Sequence, residues 1–566
     1  MIFRRILVLA VCLSLGGPAF AQSRPQADLI LTDGRIITVD PRFSIVDTVV
    51  IKDGLIWAVG GPELTEEYQA DARIDLGGRS AVPGFNDTHL HIFPLTTRTV
   101  MLDKATSVEE VQKLVAAKAK ELGKGEWILG KKWDENKFAV KRMPLRGDID
   151  AVAPDNPVVL FRDGAHSVAV NSRALRIAGI TRDSPDTDKH VIERDANGEP
   201  NGIVREDPGL FTRYIPGDTP AQMRAATIVE LKKLFEVGIT SAVLANANLG
   251  TAGGERHLSS MPDWTDLLDI YGELGDELPR LTVQLWHPGP EALAAFPYRT
   301  GYGNDRLKLG AIGEGPGVDG GFTGPAACTK HDYKNQPGYR GRCLIPDAEF
   351  QALADSAAKH GWQMGLHMIG DAAIEQSMRV YANALEKYPQ EDSRWFASHF
   401  GLLPDEKTLE LIEQHGFLVA QQPNFIFSLS ERYKEVLDAD ALATLNPIAT
   451  LQKRGIRVSL GGDTMPTDPI LGLWSAVTRK GRAGDVLGPG EGVPIQDAIR
   501  MYTAESAYLS WDEKKKGTIE PGRFADIVVL DRDPLTIPSD DLRNMKVDIT
   551  IVGGKVVYQR PESAAN

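Results

Sequence analysis

The fold of this chain is decided by one stretch, Pro83-Gly84-Phe85-Asn86-Asp87-Thr88-His89-Leu90-His91. A short apolar run begins at residue 80 and leads into it, which predicts a buried strand over 80–91. His89 and His91 are two residues apart, so on a strand both imidazoles point to the same side. Two histidines placed this way can bind one metal ion. The stretch therefore predicts a metal site at the carboxyl end of a strand.

Seven further strand candidates follow, and helical stretches alternate with them. This alternation favours a parallel α/β architecture. Together with the first candidate they number eight, which is the count that closes a (β/α)8 barrel. The seven candidates are 240–245, 281–287, 307–314, 362–368, 395–400, 416–422 and 457–463.

Other metal-binding residues fall at the ends of these candidates. His367 closes the fifth, His399 closes the sixth and Asp463 closes the eighth. One strand histidine alone is typical of a protein core, and an aspartate after two glycines is typical of a turn. Five such residues at one end of the same barrel predict a metal centre, because barrel active sites are built at the carboxyl ends of the strands. Four imidazoles and a carboxylate suit zinc or a similar divalent ion.

The two ends of the chain have a different sequence pattern. Residues 22–82 and 517–566 alternate apolar and polar positions, with hairpin turns predicted at Asp33-Gly34, Asp53-Gly54 and Gly553-Gly554. We expect these segments to combine into one small β-sandwich that brackets a barrel over 83–516. The gap between the first two barrel strands is too long for one crossover helix, so about 95–220 are predicted to form an inserted α/β lobe.

The first 21 residues are predicted to be a secretory signal. Arg4 and Arg5 precede the apolar run 6–15, and Ala19-Phe20-Ala21 has the pattern of a cleavage site. The run is too short to remain as a membrane anchor, so we expect a periplasmic or secreted protein. The formal net charge of −14 excludes nucleic acid as an expected partner, because a polyanion repels phosphate backbones.

Two of the three cysteines remain once that segment is removed. Cys328 and Cys343 flank a polar, glycine-rich stretch that is typical of a surface loop. An oxidising compartment permits a disulfide there, and we predict one. The alternative is two unrelated thiols.

Several motifs resemble the amidohydrolase superfamily, and within it the third amidohydrolase family, which includes N-substituted formamide deformylases. The resemblance covers nearly all of the chain after residue 21. The segments that carry it are 82–91, 367–371, 398–399, 460–466 and 517–526, together with 163–166, 171–172 and 197–202 in the insertion.

This resemblance implies hydrolysis of a carbon–nitrogen bond in an amide-like small molecule by metal-activated water. One or two divalent ions are implied, with zinc expected. Asp463 would bind metal and move the proton between the water and the leaving nitrogen. His166 would hold the substrate or its developing oxyanion. Trp133 would line a lid over the substrate, unless it belongs to the core of the lobe.

The fourth strand departs from the family pattern. The family places a carboxylated, metal-bridging lysine shortly before an Asp-Gly pair, but Glu314 stands near that point, before Asp319-Gly320. Lys308 has the same predicted side-chain parity as Glu314 but lies six residues too early. A glutamate offers the same bidentate carboxylate, so Glu314 is predicted to bridge two ions. The alternative is a mononuclear site with Glu314 in a turn beside it.

Other functions remain open on the same barrel. A lactone or ester hydrolase would use the same residues. A mononuclear deaminase usually has a glutamate a few residues after the fifth-strand histidine, whereas this chain has Asp371 there and Glu375 one turn further on. A non-catalytic periplasmic metal- or solute-binding protein is the third alternative. The substrate and the oligomeric state, including a homodimer, are left open by the sequence.

Overall fold

The computed structural model describes residues 24–95, 97–162, 167–187, 190–205, 209–249 and 262–561. The predicted signal segment 1–21 lies outside these ranges. Within them, no helix combines the length and the apolar character that crossing a membrane would require.

Eight parallel strands form the central sheet, and each is hydrogen-bonded to the next in chain order. The prediction of eight barrel strands is confirmed, although the first is shorter than predicted. They are β1 (Phe85–Leu90), β2 (Ile239–Ala247), β3 (Arg280–Leu285), β4 (Leu307–Glu314), β5 (Met364–Met368), β6 (Phe396–His399), β7 (Leu418–Gln421) and β8 (Val458–Leu460).

The barrel closes where β8 returns to β1. Leu90 forms a parallel bridge with Asp463, and the Asp463 backbone N–H donates to the His89 carbonyl at 2.7 Å. The Thr88 hydroxyl donates to the Leu460 carbonyl at 2.9 Å. These contacts join the first and last strands at the end where the predicted metal ligands lie.

Helices surround the barrel and bury its apolar strand residues in one large core. Leu509 packs inside the barrel against Val243, Ala311 and Phe396. The helices after the lobe are Pro220–Lys233, Trp264–Leu274, Pro290–Ala295, Asp347–Lys359, Asp371–Lys387, Glu406–His415, Asn424–Val436, Ala439–Ala443, Ala449–Lys453, Pro469–Thr478, Ile495–Tyr502 and Ala504–Leu509. Short 3-10 turns cover Leu234–Val237, Gly275–Glu277, Pro489–Glu491 and Ser539–Asn544.

The predicted strand over 80–91 is in fact two strands. Ser80–Pro83 belongs to the sandwich and β1 to the barrel, with Gly84 between them. A side chain at Gly84 would come within 2.0 Å of the Thr240 hydroxyl, so only glycine lets the chain pass from one sheet to the other. The first barrel strand is thereby continuous in sequence with the sandwich.

The sandwich contains strands from both ends of the chain, as predicted. Its smaller sheet has the order Leu55–Gly60, Thr48–Lys52, Gln26–Thr32 and Gln69–Asp75, with the short helix Leu64–Glu67 alongside. The larger sheet has the order Lys555–Gln559, Val547–Val552, Ile527–Leu530, Ser80–Pro83, Arg35–Ile37 and Ile45–Val46. Apolar residues from both ends fill the space between the sheets.

Two of the three predicted hairpin turns are confirmed. Asp53-Gly54 and Gly553-Gly554 each join antiparallel neighbours, and all four residues have positive φ. The hairpin predicted at Asp33-Gly34 is wrong. The strands on either side of it lie in different sheets, so this turn carries the chain across the sandwich.

The inserted lobe is built on a six-stranded sheet. Its strands have the order Val191–Arg194, Pro200–Arg205, Ser167–Val170, Val158–Arg162, Ile128–Trp133 and Thr99–Met101. Helices Val108–Leu122, Arg146–Asp150, Ser172–Ala178 and Gly209–Thr212 and the 3-10 turn Glu135–Lys137 complete it. The lobe has apolar clusters of its own, separate from the barrel core.

The predicted disulfide between Cys328 and Cys343 is confirmed. Its loop is held against the carboxyl end of the barrel by Asp319, which accepts hydrogen bonds from the backbone N–H groups of Cys328 and Gly370, both at 2.8 Å, and of Ile369 at 2.9 Å. The Asp-Gly pair after β4 therefore fixes the segment that follows His367.

Candidate functional site

Six predicted metal ligands meet at the carboxyl end of the barrel. Their side-chain donor atoms form three overlapping groups, and within each group all atoms lie within 4.8 Å of one another. The groups are His89, His399 and Asp463; His89, His91 and Glu314; and Glu314, His367 and His399.

Glu314 lies at the centre of the set. One of its oxygens, Oε2, is 3.6 Å from Nε2 of His89. The other, Oε1, is 3.1 Å from Nδ1 of His367 and 3.5 Å from Nε2 of His399. Its two oxygens thus face different histidines, which is the arrangement that a carboxylate shared between two ions requires.

Asp463 lies on the other side of the set, where its Oδ1 is 3.5 Å from Nε2 of His91. It also shares a group with His89 and His399. This carboxylate is therefore close to ligands from β1 and β6, as a residue that both binds metal and moves a proton would be.

Three of the site residues have a left-handed backbone. The φ angles are 58° at Glu314, 75° at His399 and 56° at Asp463. Non-glycine residues rarely adopt this region, which costs on the order of 1 kcal/mol each and recurs at functional sites. All three stand at or just after the carboxyl end of a strand.

The side-chain parity that the sequence predicts for Lys308 and Glu314 does not hold along β4. Val283 pairs with Leu309 and Leu285 with Ile312, so β4 has one more residue than β3 over this stretch. Such an irregularity interrupts the regular alternation of side chains. Glu314 nevertheless reaches the histidines from the end of the strand.

Two residues that the sequence did not single out support the ligands. Both oxygens of the buried Asp87 accept backbone hydrogen bonds, from His89 at 2.9 Å and from Gly462 at 2.8 Å. Gln422 lies 2.7 Å from Nδ1 of His399 through its side-chain oxygen. Asp87 stands within the opening motif, so its position was a usable signal, whereas nothing in the sequence pairs Gln422 with His399.

Comparison with known proteins agrees with this geometry. The model of the amidohydrolase family matches residues 72–558. The chain belongs to the amidohydrolase family.

Relatives of this amidohydrolase cover nearly all of it. YtcJ of Bacillus subtilis, named as an amidohydrolase, is 30% identical over 93% of this chain and 98% of its own length. The N-substituted formamide deformylase of Arthrobacter pascens is 26% identical over 95% of this chain and 99% of its own. A solved metal-dependent hydrolase of Pyrococcus furiosus, at 24% identity and a TM-score of 0.65, covers 90% of this chain with all of its own length and has the same fold. The protein is therefore an enzyme of a family of hydrolases that act on carbon–nitrogen bonds.

The buried histidines and carboxylates of this amidohydrolase perturb one another. Burial acts to raise the pKa of Glu314, but the surrounding imidazoles outweigh it and hold that pKa well below its ordinary value. Burial lowers the pKa of His89, which favours the neutral imidazole that a metal ligand requires. Burial also raises the pKa of Asp463, against the effect of the nearby histidines, which suits a carboxylate that accepts a proton.

The donor set fits a divalent metal. Both ring nitrogens of His89, Nδ1 of His91 and Oε2 of Glu314 are buried without a hydrogen-bond partner in the described part of the chain. Leaving buried polar atoms unpaired costs about 1–3 kcal/mol each, and metal coordination would satisfy those that face the set. Imidazole and carboxylate ligands in these numbers suit zinc.

Two other residues considered in the sequence lie elsewhere, and a third is not among those described. Lys308 forms an ion pair with Asp512 at 2.6 Å at the amino end of the barrel, so it does not compete with Glu314. Trp133 belongs to the lobe core instead of lining a lid, because it is 0% exposed and its indole N–H donates to the Leu160 carbonyl. His166 lies outside the described residues.

We predict that Asp87→Asn weakens metal binding about 10- to 100-fold, because losing a hydrogen bond that positions a metal ligand commonly has an effect of this size. An asparagine keeps one oxygen acceptor but turns an N–H toward the other backbone donor. Competition with a zinc chelator measures the affinity. Asp195→Asn is the matched control, since Asp195 also accepts backbone hydrogen bonds, at 2.8 and 3.0 Å, but in the lobe. Equal affinities in both variants would contradict the role of Asp87.

Proposed function

We propose that this amidohydrolase cleaves the carbon–nitrogen bond of an amide-like small molecule by metal-activated water. The observation that carries the proposal is the meeting of four imidazoles and two carboxylates from five strands at the carboxyl end of the barrel. That the relative in Arthrobacter pascens is an N-substituted formamide deformylase supports an amide substrate.

The residues that would hold metal are His89, His91, Glu314, His367, His399 and Asp463. We propose zinc, because its preferred ligands are these nitrogen and oxygen donors. A bound divalent ion would lower the pKa of a water molecule toward neutrality and polarise the substrate carbonyl.

Asp463 is the proposed proton shuttle. Its carboxylate would accept the proton of the attacking water and return it to the leaving nitrogen, so that the amine departs uncharged. Its backbone N–H donates to the His89 carbonyl, and its backbone carbonyl accepts from the Thr467 hydroxyl at 2.6 Å. The backbone on which the carboxylate stands is thus held on both sides.

Amide hydrolysis is favoured over deamination by the surroundings of His367. The side chain of Glu375, the glutamate nearest to a deaminase position, bonds to Lys330 at 2.6 Å. Asp371 accepts a hydrogen bond from the Lys330 backbone at 2.9 Å. Both carboxylates hold the disulfide loop, and neither belongs to a metal-ligand group formed by the described residues.

We also propose that the enzyme acts in the periplasm or outside the cell. The pattern of residues 1–21 and the disulfide between Cys328 and Cys343 support an oxidising compartment.

For Asp463→Asn we expect kcat to fall by at least roughly 100-fold, because the shape is kept and the base is lost. The rate is measured on whichever N-formyl or N-acetyl amide the wild type hydrolyses, and metal content is checked on the same samples. Asp371→Asn serves as the control, as it alters a carboxylate at the same end of the barrel. A rate within a few-fold of the wild type would place the base elsewhere.

For Glu314→Gln we predict a loss of metal. The carboxylate is proposed to bridge two ions, and its charge offsets the repulsion between them, whereas a neutral amide does neither. Metal analysis should give about two ions per chain for the wild type and one or none for the variant. Glu375→Gln should match the wild type. One ion per chain in both the wild type and Glu314→Gln would indicate a mononuclear site.

A further inference from the structure

The side-chain amide of Gln422 has a defined partner at each end. This residue comes directly after β7 and is fully buried. Its oxygen, Oε1, lies 2.7 Å from Nδ1 of His399. Its nitrogen, Nε2, donates to the Ala420 carbonyl at 3.0 Å. One end of the amide therefore contacts a predicted metal ligand and the other end contacts the backbone of β7.

The Ala420 carbonyl decides which way this amide is oriented. A carbonyl oxygen only accepts hydrogen bonds, so the NH2 group of Gln422 must face it. In the reverse orientation two oxygens would lie 3.0 Å apart with no hydrogen between them. Oε1 therefore faces His399. Because Oε1 is also only an acceptor, Nδ1 of His399 must carry the hydrogen that the two atoms share.

The second ring nitrogen of His399 then has the lone pair that a metal requires. Nε2 lies 3.5 Å from Oε1 of Glu314, inside the metal-ligand set. Phe425 stacks on the ring with planes 18° from parallel, and it is buried in an apolar cluster. The stacking holds the plane of the imidazole, while Gln422 holds one nitrogen within that plane. Together they direct Nε2 toward the set.

We propose that Gln422 is a positioning residue that fixes the tautomer of His399, so that Nε2 and not Nδ1 binds the metal. A histidine ligand whose second nitrogen donates to a fixed acceptor binds metal more tightly, because its tautomer and orientation are set in advance. Among the described residues, Nδ1 of His91 and both ring nitrogens of His89 have no such partner. Since the amide is neutral, it orients the ligand without adding charge to the site.

This inference rests on the metal centre of the proposed function, but it requires no particular substrate. Its tests measure metal binding and the position of a hydrogen, not turnover. A failure of the proposed amide hydrolysis and a failure of this inference are therefore distinguishable.

The first test is zinc affinity, measured by competition with a chelator. Gln422→Met removes the acceptor with little change in size, and we expect zinc to bind about 10- to 100-fold more weakly. Gln422→Glu keeps an oxygen in this place and should restore the affinity to within a few-fold of the wild type.

Gln421→Met is the matched control. Gln421 is equally buried, and its side chain bonds to the Phe400 carbonyl at 2.9 Å and to the Asn446 side chain at 3.0 Å, neither of which is a metal ligand. Its loss should leave the zinc affinity unchanged even if it lowers Tm as much as Gln422→Met does. A merely structural role for Gln422 would give the two methionine variants the same affinity.

Proton NMR of the cobalt-loaded enzyme reports the tautomer. The Nδ1 hydrogen of a histidine that binds cobalt through Nε2 gives a paramagnetically shifted resonance, which disappears as D2O exchanges it. The wild type and Gln421→Met should show a slowly exchanging resonance of this kind, because Nδ1 of His399 is buried and bonded. It should be lost, or should exchange rapidly, in Gln422→Met.

Two results would overturn the inference. One is zinc affinity in Gln422→Met equal to that of the wild type. The other is a wild-type spectrum in which no such resonance exchanges slowly, and this result decides the matter even if Gln422→Met does not fold. A wild type that binds neither zinc nor cobalt at these histidines would overturn the metal centre and the role of Gln422 together.

Discussion

The closure of the barrel between its first and last strands is the constraint on which the rest of the structure depends. Both oxygens of the Asp87 carboxylate are engaged, one by the His89 backbone and the other by Gly462 on the returning strand. The Asp463 backbone N–H completes the joint at the His89 carbonyl. The same few bonds therefore close the barrel and bring the first histidine pair next to the aspartate proposed to move the proton. The fold and the proposed chemistry therefore depend on the same contacts between the first and last strands.

The contacts at the carboxyl end of the barrel also stabilise three residues that have a left-handed backbone. Glu314, His399 and Asp463 each occupy a backbone region that is costly for their residue types. Each is held by neighbours in the chain and across the barrel: Glu314 by pairing with Leu366, His399 by Gln422, and Asp463 by His89. These contacts belong to the fold and offset the cost of the left-handed backbone. The left-handed conformation in turn lets the strand ends bring together side chains that regular alternation along a strand would separate.

Much of this could be predicted from the sequence, and the exceptions have physical reasons. Apolar strand runs and histidines at their ends are local features, so the eight strands were predictable. The division of the first predicted strand at Gly84 was not predictable. The contact that requires glycine there comes from Thr240, which is distant in the chain. The extra residue in β4 depends on pairing with β3, and the burial of Trp133 depends on the lobe sheet. Pairing partners, unlike periodicity, cannot be read from one segment.

Anomalous X-ray diffraction at the zinc absorption edge tests the central claim most directly. Crystals of the enzyme loaded with zinc should give two adjacent peaks, one bounded by the His89, His91 and Glu314 side chains and the other by Glu314, His367 and His399. Asp463 should adjoin one of them. A single peak would remove the bridging role of Glu314. Peaks only at other places, with none within bonding distance of these histidines, would contradict the account of the barrel end as a metal centre.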